Sequence, residues 1–354
     1  MSEKILSIIV PSYNMEKYLP KCLGSLAVAP ELMEQLEVLV VNDGSKDRTS
    51  EIAHDFEGKY PDVFRVIDKT NGHYGSCVNA GLREAKGLYV KTLDADDVYD
   101  NGEFAKYLRK LNDLTCAGRV YDLILNDFVI VDTEDVVQAT FDYGYVEKDD
   151  FGLGDFTFTD DRRVITHAVA YRTDILRAMG YSQSEGIPYT DQEWIVKPVS
   201  LVRSFCHVKA CVYRYFIGRE GQTVEHRAYV RGVPVQIRIF KGLIQWAKQN
   251  DAGFSSAYRK YFENNLRKRI ALIYRLAAFA DRRDVDPKTL KSFDGFLQDE
   301  RPELYNMVSR LSESRRLKFH YVREWRRGYT NRTVKFFLFK VYGKVMSWAN
   351  PMRG

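Results

Sequence analysis

Three clusters of polar residues follow short apolar runs within the first 100 residues, and the third is rich in carboxylates: Pro11-Ser12-Tyr13-Asn14, Asn42-Asp43-Gly44-Ser45 and Asp94-Ala95-Asp96-Asp97. Aspartates such as Asp94 and Asp96 offer the oxygen ligands that Mg²⁺ and Mn²⁺ prefer. Such an ion can neutralise the charge that develops on a diphosphate leaving group. Asp43 can accept a hydrogen bond from a nucleobase, and Tyr13 can offer the base a stacking face. Together the clusters predict a site for a metal ion and a nucleotide diphosphate.

Each cluster by itself also has a simpler interpretation. Asp-rich segments after strands are commonly helix caps or solvated turns, and Asn-Asp-Gly is a routine turn sequence. The segment that starts at Asp94 does not match a calcium-binding loop, because Tyr99 replaces the Gly of the sixth position and Ala105 replaces the Glu of the twelfth. The sequence has no P-loop signature and no GxGxxG after its first apolar run, so the folds that depend on them lose support.

The apolar pattern predicts strands that alternate with helices over the first 130 residues. Strands are predicted at 7–10, 36–41, 63–67, 88–93 and 121–131, and helices at 16–27, at 75–85 and up to about 59, the last capped by Ser45 or Asp47. This alternation is typical of right-handed βαβ units and a mostly parallel sheet flanked by helices. Because ligands of such sheets bind beyond the carboxyl ends of the strands, we expect the three clusters to line one crevice.

Later segments follow a different pattern. A strand is predicted at 164–171, a helix around 191–201 and strands within 205–216. From about residue 227 helical patterns dominate, including 235–249 and 257–280. This change in pattern predicts an α/β body followed by a helical C-terminal region.

Four motifs occur in one order and at suitable spacing: Ser7-Ile8-Ile9-Val10-Pro11-Ser12-Tyr13-Asn14, Val40-Val41-Asn42-Asp43-Gly44-Ser45-Lys46-Asp47, Asn79-Ala80-Gly81-Leu82 and Leu93-Asp94-Ala95-Asp96-Asp97. Together they resemble the family 2 glycosyltransferases of the GT-A fold. The resemblance implies an α/β, GT-A-like fold and an inverting transfer of a sugar from a nucleotide diphosphate donor, most often a UDP-sugar, to an acceptor hydroxyl. It also implies Mn²⁺ or Mg²⁺ as cofactor. On this basis we expect a nucleotide-sugar-binding half at 1–115, an acceptor-binding half at 116–225 and the helical region at 226–354.

The resemblance also implies roles for single residues. Asp96 is expected to be the principal metal ligand, with Asp94 at the ribose or near the metal. The first strand end and Asp43 are expected to hold the base, and the segment before the helix at 75–85 is expected to contact the nucleotide. The predicted nucleotide contacts are Pro11, Tyr13, Asn14, Asp43, Asn71, Gly72 and Asp94.

Family members need a general base on the acceptor side, usually the Asp of an acidic pair that opens a helix. We predict Asp191 as this base, with Glu193 as the second candidate, although Thr190 stands where the family often has Glu. A carboxylate is sufficient, because the acceptor hydroxyl loses its proton mainly as the glycosidic bond to the donor breaks. The competing interpretation makes Asp191 a plain helix N-cap. Trp194 can form a stacking wall for an acceptor sugar or belong to the core.

Two histidines and one arginine are further candidates. His226 is a weaker candidate for a metal ligand, and His167, in an apolar segment, fits an interior or acceptor-site residue better than a ligand. Arg219 fits either a contact to the diphosphate or a solvated surface position.

Composition narrows the setting. The five cysteines are scattered and form no CxxC pair, which is typical of reduced thiols in a cytosolic protein. With neither a signal peptide nor a membrane span in the sequence, we expect a cytoplasmic enzyme that at most rests on a membrane surface. Of the formal charge of +5, the excess lies in residues 310–354, which hold twelve Lys or Arg and two acids.

The aromatic and basic run at 334–348 within that tail has two interpretations. It fits an interfacial helix on anionic lipid, which would suit a lipid-linked saccharide acceptor, and equally a terminal helix packed on the body. Nucleic-acid binding ranks below both, because no motif of a known reader is present.

Two other functions share parts of this pattern. A metal-dependent nucleotidyltransferase should carry a Gly-rich, basic loop after the first strand, where this chain has Pro11-Ser12-Tyr13-Asn14. A non-catalytic nucleotide-sugar-binding protein would retain Asp43 and need no base.

Overall fold

A computed structural model of the chain describes residues 4–144, 164–218, 226–279, 285–310 and 320–328. The chain divides into two compact units, Met1–Arg219 and Glu220–Gly354. The first unit holds all the predicted nucleotide contacts, the predicted principal metal ligand Asp96 and the predicted base Asp191, whereas the weaker metal-ligand candidate His226 falls in the second unit. The further division expected near residue 115 stays a prediction.

The first unit is built on a sheet with helices packed against it. Its described strands are β1 Leu6–Ser12, β2 Leu36–Asn42, β3 Phe64–Asp68, β4 Tyr89–Thr92, β5 Val98–Tyr99, β6 Leu123–Val131, β7 Val137–Phe141, β8 Val169–Arg172 and β9 Phe205–Phe216. The described helices are α1 Leu19–Gly24, α2 Pro30–Met33, α3 Thr49–Lys59, α4 His73–Glu84, α5 Asn101–Cys116, α6 Thr173–Ala178 and α7 Asp191–Val196. The strand order is β3-β2-β1-β4-β8-β6-β9-β5, and β7 pairs with β6.

The predicted parallel arrangement is confirmed for β3, β2, β1 and β4. β1 and β2 are apolar and buried along nearly their whole length, as expected for strands covered on both faces. Ser12 pairs with Asn42 and Asn42 with Asp68, so β1, β2 and β3 end at one level. β4 ends earlier, where Thr92 pairs with Ile9, so the segment that follows it continues beside the end of β1.

Beyond β4 the sheet is mixed, so the expectation of a mostly parallel sheet holds for one half of it. β8 runs antiparallel to β4 and β6, β7 is antiparallel to β6, and β5 is antiparallel to β9. Only the β6–β9 pair is parallel among the described strands of this half. β6 and β7 are joined by a short turn, and such a connection allows only an antiparallel neighbour.

Three elements are shorter than the apolar pattern predicted. The helix predicted at 16–27 occupies only Leu19–Gly24. The strand predicted at 164–171 is a 3₁₀ turn, Thr166–Ala168, followed by β8. The helix predicted at 191–201 ends at Val196, because Pro198 has no N–H to continue the α-helical hydrogen bonds, and a 3₁₀ turn follows.

The second unit is helical. Its described helices are α8 His226–Arg231, α9 Val233–Asn250, α10 Ser256–Phe279, α11 Pro287–Glu300, α12 Pro302–Ser309 and α13 Tyr321–Arg326. Buried aromatic side chains form much of its core, among them Tyr258, Tyr261, Phe262, Tyr274 and Phe293.

The described part of the basic tail packs within this helical unit. The hydroxyl of Tyr321 donates to the carbonyl of Ala271 at 2.8 Å, and the guanidinium of Arg326 donates to the carboxylate of Asp294 at 2.7 Å. For α13 the structure therefore favours the packed helix. The aromatic run at 334–348 lies outside the described residues.

In the part of the chain that the structure describes, no helix combines the length and the apolar character needed to cross a bilayer.

Candidate functional site

Asp43 lies directly after β2 and is almost fully buried. Its Oδ1 accepts hydrogen bonds from Nζ of Lys69 at 2.6 Å and from the backbone N–H of Gly72 at 2.9 Å. The backbone N–H of Asp43 donates to the carbonyl of Ser12, and Asn71 donates to the carbonyl of Asp43 at 3.1 Å. Because Lys69 follows β3 and Ser12 ends β1, three parallel strands meet at this carboxylate.

The residues after β1 lie at the same edge. Asn14 has a left-handed φ of 55°. Its N–H donates to Oγ of Ser45 at 3.0 Å, and its Oδ1 accepts from the N–H of Lys46 at 2.9 Å. Tyr13 is 43% exposed, so its ring is accessible for stacking. Pro11 is the next-to-last residue of β1 and lies two residues before Tyr13. The loops after β1 and β2 are thus joined around the predicted base site.

Gly72 precedes α4, and the side chains of Ser76 and Lys69 lie close to its Cα. A Cβ on Gly72 would lie 2.6 Å from Oγ of Ser76 and 3.2 Å from Nζ of Lys69. Because Gly72 has no Cβ, Nζ of Lys69 has room to donate both to Oγ of Ser76 at 2.9 Å and to Oδ1 of Asp43. The glycine therefore keeps the ammonium group beside the predicted nucleotide contacts.

The carboxylates after β4 are held by β9. The hydroxyl of Tyr213 accepts from the N–H of Asp94 at 3.2 Å and donates to Oδ2 of Asp97 at 2.8 Å. Oδ1 of Asp97 accepts from the N–H of Phe216 at 2.8 Å. Burial raises the pKa of Asp97 well above its usual range, and the charges of Asp96 and Asp94 act in the same direction. Three carboxylates therefore share a small volume, with Asp97 as the buried anchor.

The donor set at this position fits a divalent cation. A ring nitrogen of His167 and carboxylate oxygens of Asp94 and Asp97 lie within 4.8 Å of one another. Burial, together with the charge of Lys91, lowers the pKa of His167 to about 3, so the imidazole is neutral. Carboxylate oxygens and a neutral imidazole are common metal ligands. Asp96 lies half-buried next to this group, and its role as the principal ligand stays a prediction.

The other His and Asp group with this spacing in the described chain comprises Asp127, Asp142 and His207. Oδ1 of Asp127 lies 2.8 Å from Nε2 of His207 and also accepts from the N–H of Tyr143 at 3.0 Å. Asp142 is exposed, and its Oδ1 accepts from the N–H of Gly144. Hydrogen bonds within the protein therefore explain why these three side chains lie close together, with Asp127 and His207 as a structural pair.

In the part of the chain that is predicted to bind the acceptor, a loop at 183–190 packs against α4. Asn79 holds the backbone of Gln183 from both sides, donating to its carbonyl at 2.9 Å and accepting from its N–H at 2.8 Å. A Cβ on Gly75 would lie 2.1 Å from the carbonyl oxygen of Ser184. The loop and the helix are therefore in direct backbone contact.

This loop connects the nucleotide edge to Asp191. The N–H of Gly186 donates to the carbonyl of Gly72 at 2.8 Å. Tyr74, on α4, is half-buried with a buried hydroxyl, and this burial raises its pKa well above the usual range, with the charges of Asp94 and Asp191 acting in the same direction. Asp94 and Asp191 therefore both lie near the hydroxyl of Tyr74, which is consistent with one crevice for the two carboxylates.

Asp191 and Glu193, the two candidate bases, have different surroundings. Asp191 is the first residue of α7, after the N-cap, and its half-buried carboxylate accepts from Nε2 of Gln192 at 2.9 Å. Glu193 is buried, and its carboxylate accepts from the N–H of Ser184 at 2.6 Å and from Nζ of Lys197 at 2.7 Å. Glu193 therefore anchors the 183–190 loop, which leaves Asp191 as the candidate base.

The structure decides between the two interpretations of Trp194. Trp194 is fully buried against Tyr171 and Tyr181, which supports its assignment to the core rather than to a sugar-stacking wall. Arg219 and the side chain of His226 lie outside the described residues.

Two residues of the site were not predicted from the sequence. Lys69 could have been predicted, because it follows β3 as Asp43 follows β2. Tyr213 could not, since its contact to Asp97 spans 116 residues.

Lys91, on β4, lies behind the carboxylate site and is fully buried. Its Nζ donates to Oδ1 of Asn126 at 2.6 Å and to the carbonyl of His167 at 2.8 Å. Burial lowers the pKa of Lys91 to about 7 from 10.5. Between these two values the unfolded chain binds more protons than the folded one, so stability should rise with pH across that window.

We expect this titration to be visible in the free energy of unfolding, with a slope of up to about 1.4 kcal/mol per pH unit from Lys91. Urea denaturation in EDTA between pH 7 and pH 10.5 should show wild type gaining stability relative to Lys91→Met as the pH rises. Lys86→Met, at an exposed position, should show a constant difference from wild type. A constant difference for Lys91→Met as well would contradict the lowered pKa.

Comparisons with known proteins agree with this geometry. The family model described as Glycosyl transferase family 2 matches residues 7–178. The uncharacterized glycosyltransferase MG025 of Mycoplasma genitalium is 37% identical over 110 residues, which are 30% of this chain and 37% of that protein. The minor teichoic acid biosynthesis protein GgaB of Bacillus subtilis is 35% identical over 102 residues, 29% of this chain and 11% of that protein. The matched stretch thus spans about a third or less of these relatives.

Solved structures share the fold. The crystal structure of S. aureus TarS 1-349 superposes with a TM-score of 0.61 at 18% sequence identity, covering 86% of this chain and 83% of that chain. The same protein in complex with UDP-GlcNAc gives a TM-score of 0.52 at 20% identity, covering 86% and 89%. The motif order, the strand-end site and the family model agree, and residues 7–178 of this chain are identified as a family 2 glycosyltransferase segment.

Proposed function

We propose that this protein is an inverting, metal-dependent glycosyltransferase that moves a sugar from a UDP-sugar to an acceptor hydroxyl. One observation supports the proposal: β1, β2 and β4 carry their polar clusters to one edge of the sheet, and the loop that leads to Asp191 packs on α4, where Asp94 and Asp191 both lie near Tyr74. A nucleotide site, a carboxylate cluster and a candidate base close to one another are what an in-line displacement needs.

The proposed roles follow from position. Tyr13 and Asp43 bind the base, with Asn71 and Gly72 closing the pocket around Asp43. Pro11 and Asn14 shape the same edge, and Asp94 would contact the ribose or the metal ion. A divalent ion held by Asp96 and its neighbours would supply charge neutralisation to the departing diphosphate.

Asp191 takes the proton of the acceptor. The acceptor oxygen forms a bond to the anomeric carbon while the bond from that carbon to the diphosphate oxygen breaks, and the hydroxyl proton passes to the Asp191 carboxylate. The nucleotide diphosphate leaves with the electron pair. Attack from the face opposite the leaving group inverts the anomeric centre.

The substrates are proposed from the relatives. TarS forms a complex with UDP-GlcNAc, and GgaB is named for teichoic acid biosynthesis. We infer a UDP-sugar donor and a saccharide or lipid-linked saccharide acceptor in bacterial surface-polysaccharide or glycolipid synthesis. The basic aromatic run at 334–348 supports an enzyme that acts at the inner face of the membrane, because each basic residue near anionic lipid contributes about 1 kcal/mol to membrane binding.

The direct test incubates the full chain with UDP-sugars, Mn²⁺ and saccharide acceptors, and measures both UDP release and the glycosylated product. A product with inverted anomeric configuration supports the proposal. Release of pyrophosphate in place of UDP would indicate a nucleotidyltransferase, and donor binding without turnover with any acceptor would indicate a binding protein.

We expect Asp43→Asn to weaken donor binding more than it slows turnover. A contact to the base contributes similarly in the ground state and the transition state, so KM for the UDP-sugar should rise about 10-fold or more with a smaller change in kcat. Steady-state kinetics and calorimetric titration with UDP measure the two effects. Asp68→Asn makes the same change at the end of β3, where Asp68 binds Asn42 and His54, and should leave KM near wild type. A large loss of kcat at unchanged donor affinity would refute the base-binding role.

A further inference from the structure

His167 has surroundings that its fold position alone does not explain. Its ring stacks on Tyr215, with centroids 4.5 Å apart, and packs against Tyr213 at 4.4 Å. Its Nδ1 is fully buried and has no hydrogen-bond partner among the described residues. Buried polar atoms in native proteins are nearly always paired, so an imidazole nitrogen with no partner among the described residues is a candidate to bind a ligand.

The backbone around His167 is held firmly. Lys91 donates to its carbonyl at 2.8 Å, and the same ammonium group donates to Asn126 at 2.6 Å. With two aromatic neighbours on the ring and a buried lysine on the backbone, the imidazole has little freedom to turn away. Its ring nitrogen lies within 4.8 Å of carboxylate oxygens of Asp94 and Asp97, a spacing that one ion can bridge.

We propose that His167 supplies a nitrogen ligand to the divalent ion of this site, alongside the carboxylates that follow β4. The inference rests on the proposed function, because the ion concerned is the one that the transfer uses. The ligand set then contains oxygen and nitrogen, whereas Mg²⁺ prefers oxygen ligands and water. Imidazole suits transition metals, so His167 biases the site towards ions such as Mn²⁺ or Co²⁺ over Mg²⁺.

The Asp127, Asp142 and His207 group provides a matched comparison, because it also places one histidine among carboxylates. In that group the histidine nitrogen already lies 2.8 Å from a carboxylate oxygen, so its environment is complete without an ion. We therefore expect a bound metal ion to contact a ring nitrogen of His167 and not one of His207.

The test is pulsed electron paramagnetic resonance of Mn²⁺ bound to the full chain, with UDP and without acceptor. We expect the wild-type spectrum to show coupling of Mn²⁺ to an imidazole nitrogen. The coupling should vanish in His167→Asn and persist in His207→Asn. Titration should show the Kd for Mn²⁺ rising at least about 10-fold in His167→Asn, the scale on which changes around metal ligands act. Competition with Mg²⁺ should show the preference for Mn²⁺ narrowing in the same variant.

Each alternative result is informative. Mn²⁺ bound by wild type without nitrogen coupling overturns the role of His167 and leaves the proposed transfer intact, and this measurement needs no variant to fold. Coupling that disappears in His207→Asn while His167→Asn keeps it assigns the ion to the other group and also overturns the inference. Failure of wild type to bind Mn²⁺ with UDP present contradicts both the inference and the metal dependence of the proposed function.

Discussion

Replacing Asp191 with asparagine should lower the rate of sugar transfer about 10²–10⁴-fold and leave donor affinity unchanged, the usual scale for losing a general base. Asparagine keeps the size of the side chain and cannot take the proton of the acceptor hydroxyl. Asp191 is only half-buried, and the hydrogen bond that its carboxylate accepts from Gln192 can also be accepted by the amide oxygen of asparagine, so the substitution should cost less stability than one at a buried carboxylate. Transfer kinetics with saturating acceptor and calorimetry with UDP separate the two quantities.

Two variants control this result. Asp174→Asn makes the same change in the first turn of α6, where Asp174 pairs with Arg172 at the surface, and should transfer at the wild-type rate. Glu193→Gln should lower the free energy of unfolding by about 1–3 kcal/mol, because it weakens the buried contacts to Ser184 and Lys197. Its folded fraction should still transfer. If Glu193→Gln abolishes transfer and Asp191→Asn does not, the base is assigned to the wrong residue.

Asp96→Asn should lower kcat/KM at least about 10²-fold, the loss expected when a main stabiliser of leaving-group charge is removed. Asp96 lies in the carboxylate cluster and raises the pKa of Asp97. Removing its charge weakens the hold on a divalent ion, so part of the loss should be recovered at high Mn²⁺ concentration. Activity as a function of Mn²⁺ measures both the depth of the loss and its recovery.

Asp113→Asn serves as the matched control, because Asp113 is an exposed aspartate on α5. It should behave as wild type at every Mn²⁺ concentration. Wild-type activity that survives EDTA, or a folded Asp96→Asn variant with near-normal turnover, would remove the metal from the mechanism.

The parallel half of the sheet could be predicted from sequence because its strands are continuous apolar runs that end in turn residues. Leu36–Asn42 and the segment that ends at Asp94 carry both signals. The mixed half could not be predicted in the same way. Whether β8 pairs parallel or antiparallel to β4 depends on how the chain crosses the sheet, and apolar periodicity does not contain that information.

The candidate site divides along a similar line. Asp43, Asp94 and Asp96 stand out because polar side chains at strand ends follow the chain in order. His167 did not stand out as a ligand, because its significance depends on Asp97 and on an unpaired ring nitrogen, both visible only in three dimensions. The sequence ranks Asp191 ahead of Glu193 only through the resemblance to the family, and burial together with the contacts of Glu193 to Ser184 and Lys197 separates the two in the structure.

The backbone contact between α4 and the 183–190 loop has a consequence for engineering. Exchanging acceptor loops between relatives is a natural way to alter which hydroxyl receives the sugar. Here the carbonyl of Ser184 leaves no room for a side chain at position 75, and Asn79 satisfies both backbone groups of Gln183. A loop taken from a relative should therefore be transferred together with the α4 helix that it packs against, so that these backbone contacts are kept.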